Sequence, residues 1–332
     1  MQKETLNKVF QGLKIDATCV NAYSHRHFSF YDVELNPKCK VSKIRHYADE
    51  IALGLRSKTT PIIKIIPEKG IVRLQTITTD PSTLYFEDLL AASHKQIIGL
   101  NFLFGETNEG NLLWVDMKKN PHMLVAGSTG SGKSVFLHTL IANALRDETC
   151  SISLVDPKGS EFINYKEIAD DLCVSYTDTV DMLKRSINEM EYRYKELARC
   201  NKISVEGHYA GIFGYKLIII DEVSDLMLQD KSKEFEESVL KLAQKSRAVG
   251  IHLVLATQRP SVDVLTGLIK ANFPSRLAFK VSSRVDSNVI LDTQGAEYLI
   301  GRGDGILATN EYDYVRCQIA MSDPKVTAKI QD

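Results

Sequence analysis

The chain has 332 residues, of which 44% are hydrophobic and 25% charged, and a formal net charge of −1. That leaves room for one large domain and a smaller companion with a sizeable core. The charge balance gives no whole-surface support for nucleic-acid binding, which shows itself as a basic surplus; only a local patch, repeated around a ring, could supply it.

Six scattered cysteines with no C-x-x-C pair read as reduced thiols in a cytoplasmic protein. No hydrophobic signal core follows Met1, and apolar runs such as Leu217 to Ile220 are too short to cross a bilayer, so no membrane contact is expected.

Residues 1–82 are predicted to form a small α+β domain. A short amphipathic helix comes first, then a strand around Phe28 to Leu35, then one helix carrying Ile44, Ala48, Ile51 and Leu55 at helical spacing. Two strands follow, Pro61 to Ile66 and Ile71 to Leu74, flanking Pro67-Glu-Lys-Gly70, which has the residues of a tight turn. Turn formers at Thr79-Asp-Pro-Ser82 end the domain. Within it, His25 and His27 lack an acid or Cys at ligand spacing and read as solvent-facing strand positions, not a metal site.

Residues 83–120 are expected to connect this domain to a second, 121–332. From about Ile98, apolar runs alternate with amphipathic helices: His122 to Ala126, Ser151 to Val155, Lys216 to Ile220, His252 to Ala256 and Arg276 to Val281. The alternation predicts an α/β domain with a mainly parallel sheet covered by helices. A helix from about Thr179 to Cys200 sets Leu183, Ile187, Met190, Tyr194 and Leu197 on one buried stripe, with its charges on a solvated face.

Gly127-Ser128-Thr129-Gly130-Ser131-Gly132-Lys133-Ser134 matches G-x-x-x-x-G-K-[ST] between a predicted strand and helix, the context a phosphate-binding loop requires. The glycines let successive N–H groups face phosphates, and the helix N-terminus adds its dipole. Lys133 is expected to reach the β- and γ-phosphates of ATP, and the Ser134 hydroxyl to bind Mg²⁺. Leu217 to Ile220 runs into Asp221-Glu222. Asp221 is assigned to the magnesium shell and Glu222 to polarising the attacking water; a bare acidic helix cap is the alternative. Gln258, at the end of another strand, fits a γ-phosphate sensor or a polar strand end equally well. Asp156-Pro-Lys158-Gly is ambiguous, and its plain reading is a turn.

Taken in order, these motifs resemble the FtsK/SpoIIIE family of hexameric double-stranded DNA translocases. The carrying segments are Pro121 to Ser134, Leu154-Val-Asp-Pro-Lys-Gly159, Asn188 to Tyr194, Gly250 to Asn272, Val281 to Ser287 and Gly301-Arg-Gly-Asp304, with Lys40 to Leu53 similar to the small α domain that precedes the motor. The resemblance implies a RecA-like P-loop motor that assembles as a ring, threads duplex DNA through its centre and moves it by sequential ATP hydrolysis. It implies that Arg247 is an arginine finger reaching a neighbour's nucleotide, although alone it reads equally as a helix C-terminal cation. Arg259, Lys270 and Arg284 fall at the family's DNA-facing loops; each alone reads as an ordinary surface charge.

The family's membrane helices and winged-helix γ domain have no counterpart in the sequence, so it is expected to correspond to the soluble α and β domains. Arg199-Cys-Asn-Lys-Ile203 replaces the family's glycine-rich segment before the acidic pair. Related motors that power protein export or conjugative transfer of single-stranded DNA are the alternative, against which the three basic residues favour nucleic acid.

Overall fold

The computed structural model describes residues 2–25, 27–57, 59–78, 82–205 and 212–327, with Arg26 and the expected boundary residues 79–81 outside this range. The chain divides into two compact units, Met1–Thr83 with Asn108–Asn111, and Leu84–Thr107 with Leu112–Asp332.

The first unit is a four-stranded antiparallel sheet in the order β1-β2-β4-β3, built from β1 (Ala17–Ser24), β2 (Phe28–Leu35), β3 (Ile62–Ile66) and β4 (Ile71–Ile77). Alternation in β2 and β4 sends Tyr31, Val33, Val72 and Leu74 into a core with Leu6 and Phe10 of α1 (Gln2–Gly12) and Ile51 of α3 (Ala48–Leu55). The two helices approach so closely that a Cβ on Gly54 would lie 2.3 Å from Val9 Cγ2. Asp32, which alternates with Tyr31 and Val33, holds Arg73 by two hydrogen bonds of 2.7 and 3.1 Å.

The single helix expected over Ile44 to Leu55 is two, α2 (Val41–His46) and α3, because Tyr47 between them leaves helical geometry at ψ 23°. His27 is buried, not solvent-facing, and β1 had no expected counterpart.

The second unit carries a ten-stranded sheet in the order β6-β5-β14-β13-β12-β7-β11-β10-β8-β9. Six neighbouring strands are parallel: β12 (Ser275–Phe279), β7 (His122–Ala126), β11 (Ile251–Thr257), β10 (Tyr215–Ile220), β8 (Cys150–Val155) and β9 (Asp171–Cys173). The other four, β5 (Asn101–Thr107), β6 (Leu112–Asp116), β13 (Asp304–Ala308) and β14 (Val315–Ile319), extend it as an antiparallel wing. Segment 83–120, expected as a connection, thus supplies α4 (Phe86–Ser93), β5 and β6.

Period-two alternation divides each central strand between two cores. Leu217 and Ile219 of β10 pack with Phe136 and Leu140 of α5 (Lys133–Ala144) on one face, while Ile218 and Ile220 pack with Leu183 of α6 (Tyr176–Arg199) and Val239 on the other. A sheet buried on both faces holds its strand ends rigidly, and that is where the site lies. α6 departs from expectation at two positions. Tyr194 is 37% exposed and donates its hydroxyl to the Lys245 carbonyl at 2.5 Å. Arg193, expected on the solvated face, is buried because Glu189 neutralises it at 2.6 Å and the carbonyls of Phe213, Gly214 and Val249 accept its remaining protons at 2.8 to 3.0 Å. No helix among the described residues is long and apolar enough to cross a membrane.

Candidate nucleotide site

Because β7, β11, β10 and β8 are adjacent and parallel, the segments leaving their C-terminal ends meet along one sheet edge, where open α/β sheets bind ligands. Gly127 to Gly132 leave β7 and turn into α5 at Lys133. The loop is tied to its surroundings by main-chain bonds: Gly127 N–H donates to Thr257 O at 3.2 Å, Ser128 N–H to Lys280 O at 2.8 Å, and Gly303 N–H to Ser131 O at 2.9 Å. Gly130 and Gly132 have φ of 76° and 114°, in the left-handed region that glycine favours.

A Cβ on Gly132 would lie 2.4 Å from Gly303 N, so the Gly301-Arg-Gly-Asp304 segment backs the loop. Gly132→Ala is expected to lower the unfolding free energy by at least about 2 kcal/mol in urea denaturation. Gly130→Ala meets nothing within 4 Å and should cost only its positive φ, about 1 kcal/mol; equal losses in the two variants would contradict this backing contact.

Lys133 is buried and forms an ion pair with Asp221 at the end of β10. Burial pushes the Asp221 carboxyl above its usual range against the pull of Lys133. Glu222 follows in the left-handed region at φ 57°, a conformation that costs about 1–3 kcal/mol and clusters at functional sites. Its carboxylate accepts from Ser224 Oγ at 2.5 Å, Thr257 Oγ1 at 2.9 Å and Gln258 N–H at 3.1 Å, and Lys158 Nζ stands 3.7 Å away. Burial raises this carboxyl, but these hydrogen bonds outweigh it and hold Glu222 below the usual range, hence ionised at neutral pH. Gln258 Oε1 accepts from Thr129 Oγ1 at 3.0 Å, joining the end of β11 to the loop.

The structure thus brings Thr129, Lys133, Asp221, Glu222 and Gln258 together at one edge. Arg247 lies at the opposite, N-terminal end of β11, exposed beside a cavity of about 370 Å³ lined also by Lys118, Lys245 and His252. Arg259 and Arg284 are exposed. Lys270 is not a free surface charge, since it pairs with Asp292, which also holds Arg276. Sequence reasoning missed Glu161 and assigned no role to Lys158; the available signal was Asp156-Pro-Lys158-Gly, left ambiguous there with a turn as its plain reading.

Ser131 Oγ is buried with no hydrogen-bond partner among the described residues, and with the open glycine backbone it fits a loop that wraps phosphates. Ser134 and Asp221 offer hard oxygen donors of the kind Mg²⁺ takes. Among the described residues, no group of three or more His, Cys, Asp or Glu is placed to hold a metal ion.

A glycine-rich loop between β7 and α5 and an acidic pair at the end of β10 define a RecA-like P-loop NTPase fold. The chain belongs to the FtsK/SpoIIIE family: the family's model matches residues 91–217 and 212–262, and the FtsK alpha domain model matches residues 1–76. It is 37% identical over 328 residues to the DNA translocase FtsK of Chlamydia muridarum, covering 92% of this chain and 41% of that protein. It is 36% identical over 325 residues to the DNA translocase SftA of Bacillus subtilis, covering 93% of this chain and 34% of that protein. The chain therefore spans about two fifths or less of the length of these relatives. A solved structure of the pCW3 conjugation coupling protein TcpA, with ATPγS, has the same fold at 23% identity and a TM-score of 0.72, covering 100% of this chain and 99% of that one.

Proposed function

We propose that this chain is the motor of an ATP-dependent double-stranded DNA translocase, in which neighbouring copies in a ring share each ATP site and pump duplex DNA through a common channel. The observation that carries this reading is the joining of Lys133, Asp221 and Glu222 at one sheet edge in a chain about 37% identical to proteins named DNA translocases. The family's hexamer is the assembly proposed, and the cytoplasm its location. The fold by itself does not choose a substrate, since a conjugation protein shares it.

In this mechanism the loop N–H groups and Lys133 hold the ATP phosphates, and Ser134 and Asp221 hold Mg²⁺. The ion, when bound, neutralises charge on the phosphate oxygens. Glu222, ionised and fixed by Ser224, Thr257 and the Gln258 N–H, polarises the attacking water. Gln258, bonded to Thr129, reports γ-phosphate occupancy to β11. Arg259 leaves the same strand end and its backbone N–H donates to Thr257 Oγ1 at 3.0 Å, so the main chain that carries a DNA contact at Arg259 is tied to the hydroxyl that holds Glu222.

The test is ATP turnover with and without duplex DNA, followed by displacement of a third strand from a duplex. Strong stimulation by duplex DNA and strand displacement are expected. Stimulation only by single-stranded DNA or by a polypeptide would move the assignment to transfer or export. Arg259→Ala with Arg284→Ala is expected to weaken duplex affinity and reduce its salt slope by roughly 2 if each side chain contacts one phosphate.

A further inference from the structure

The charge that balances over the whole chain is divided unevenly along it. Residues 1–83 carry 13 Lys and Arg against 8 Asp and Glu, whereas residues 84–332 carry 28 against 34, an asymmetry that points to a polyanion at the basic part. The surplus is concentrated: residues 36–47 hold Lys38, Lys40, Lys43 and Arg45 with no Asp or Glu among them. In the first unit Lys38, Lys40, Lys43 and His46 line an open depression of about 660 Å³ with Asp16 and Tyr47. Lys14, exposed at a left-handed turn after α1 with φ 51°, borders it, its carbonyl accepting from Lys43 Nζ at 2.5 Å. The backbone beneath these cations is fixed. Asn36 N–H donates to Asp16 O at 3.2 Å, Cys39 N–H to Asn36 O at 2.8 Å and Lys43 N–H to Lys40 O at 2.9 Å, while Ile44 anchors α2 in the core.

Two plain explanations cover only part of the cluster. Lys43, Arg45 and His46 close the last turn of α2, where positive charge complements the helix dipole, but Lys14, Lys38 and Lys40 lie outside that helix. Solvated surface charge is the other, and on the motor such cations are matched: Lys184 by Glu234, Arg185 by Asp171 and Lys241 by Glu191. Among the described residues no ion pair is formed by Lys14, Lys38, Lys40, Lys43 or Arg45.

Like charges gathered without counter-charge attract a polyanion. The depression is open, and its cations are spread over a turn, a loop and a helix, so they suit several phosphates of one backbone better than a single small anion. Duplex DNA supplies them at about one negative charge per 1.7 Å of its axis. Single strands are held largely by bases stacked on aromatic rings, and Tyr47 is already packed edge-on against His46 at 4.9 Å. Resting on the translocase reading above, we propose that this face of the first unit is a second duplex contact besides Arg259 and Arg284 of the motor, with Lys14, Lys38, Lys40 and Arg45 taking phosphates without regard to sequence.

The test measures binding of the full chain to a fluorescent duplex across a range of salt concentrations. Lys38→Gln with Lys40→Gln is expected to reduce the slope of log affinity against log salt by roughly 2, with ATP turnover in the absence of DNA unchanged. Lys64→Gln with Lys69→Gln removes the same charge from exposed positions in and after β3 and is expected to leave the slope as it was. Equal slopes in all three proteins, or equal losses in the two double variants, would overturn the proposal. So would intact duplex binding by the Lys38, Lys40 variant together with lost binding to phosphatidylserine vesicles, which would give the face to a lipid surface. If the unmodified chain bound no duplex at any salt concentration, the translocase reading would fall, and this inference with it.

Discussion

Lys133→Ala is expected to reduce nucleotide-driven turnover by on the order of 10²–10³-fold or more, and to destabilise the fold as well. The second effect follows from the ion pair: Lys133 and Asp221 are both buried, so removing the ammonium leaves a carboxylate without its counter-charge. Removing one partner of such a pair costs about 3–5 kcal/mol. The cost here should fall toward the lower end, because burial already raises the Asp221 carboxyl and it can discharge by taking up a proton.

A pH signature follows. Without Lys133 the folded-state pKa of Asp221 rises further above its unfolded value, so the native state gains relative stability at low pH and loses it as pH rises through the folded pKa. The deficit of Lys133→Ala against the unmodified chain should therefore be smallest in acid and grow above the ordinary carboxylate range. The double variant Lys133→Ala, Asp221→Asn removes the stranded charge and is expected to regain most of the stability in urea denaturation while regaining no turnover. A double variant as unstable as the single one at neutral pH would show that the pair is not what the lysine contributes to folding.

The parts of this molecule that sequence patterns reveal are those whose physics is local. The phosphate loop is contiguous, and its glycines announce the positive φ values found at Gly130 and Gly132. β10 was visible because Leu217 to Ile220 is buried on both faces and so reads as an unbroken apolar run. β13 and β14 lie in the antiparallel wing, and their short mixed sequences, Asp304–Ala308 and Val315–Ile319, carry no such run. The remaining omissions are pairings across the chain. Arg193 reads as a surface charge until loop carbonyls gather around it. Lys270 is separated from Asp292 by 22 residues, and Glu161 from His138 by 23; nothing in local spacing joins either pair.

Arg247→Ala is the substitution that tests whether the site is shared between subunits. Arg247 stands just before β11, and the seven residues Ile251–Thr257 separate it from Gln258 by roughly 20 Å of extended strand, beyond the reach of its own P-loop. A catalytic contribution must therefore be made to another copy's nucleotide. The exposed guanidinium beside Lys118 and Lys245 suits that use, since a basic, open edge can receive a neighbour's phosphates. Arg247→Ala is expected to bind ADP as the unmodified chain does and to lose hydrolysis by on the order of 10³-fold. Arg247→Lys should recover little, because an ammonium cannot reproduce the two parallel hydrogen bonds of the guanidinium. Mixing gives the sharper result. Lys133→Ala subunits retain the arginine and Arg247→Ala subunits retain the loop, so each is inactive alone, yet mixed rings contain interfaces where an intact loop faces an intact arginine. Turnover is expected to reappear on mixing and to peak at intermediate ratios, and a mixture as inactive as its components, under conditions where the copies assemble, would refute a shared site.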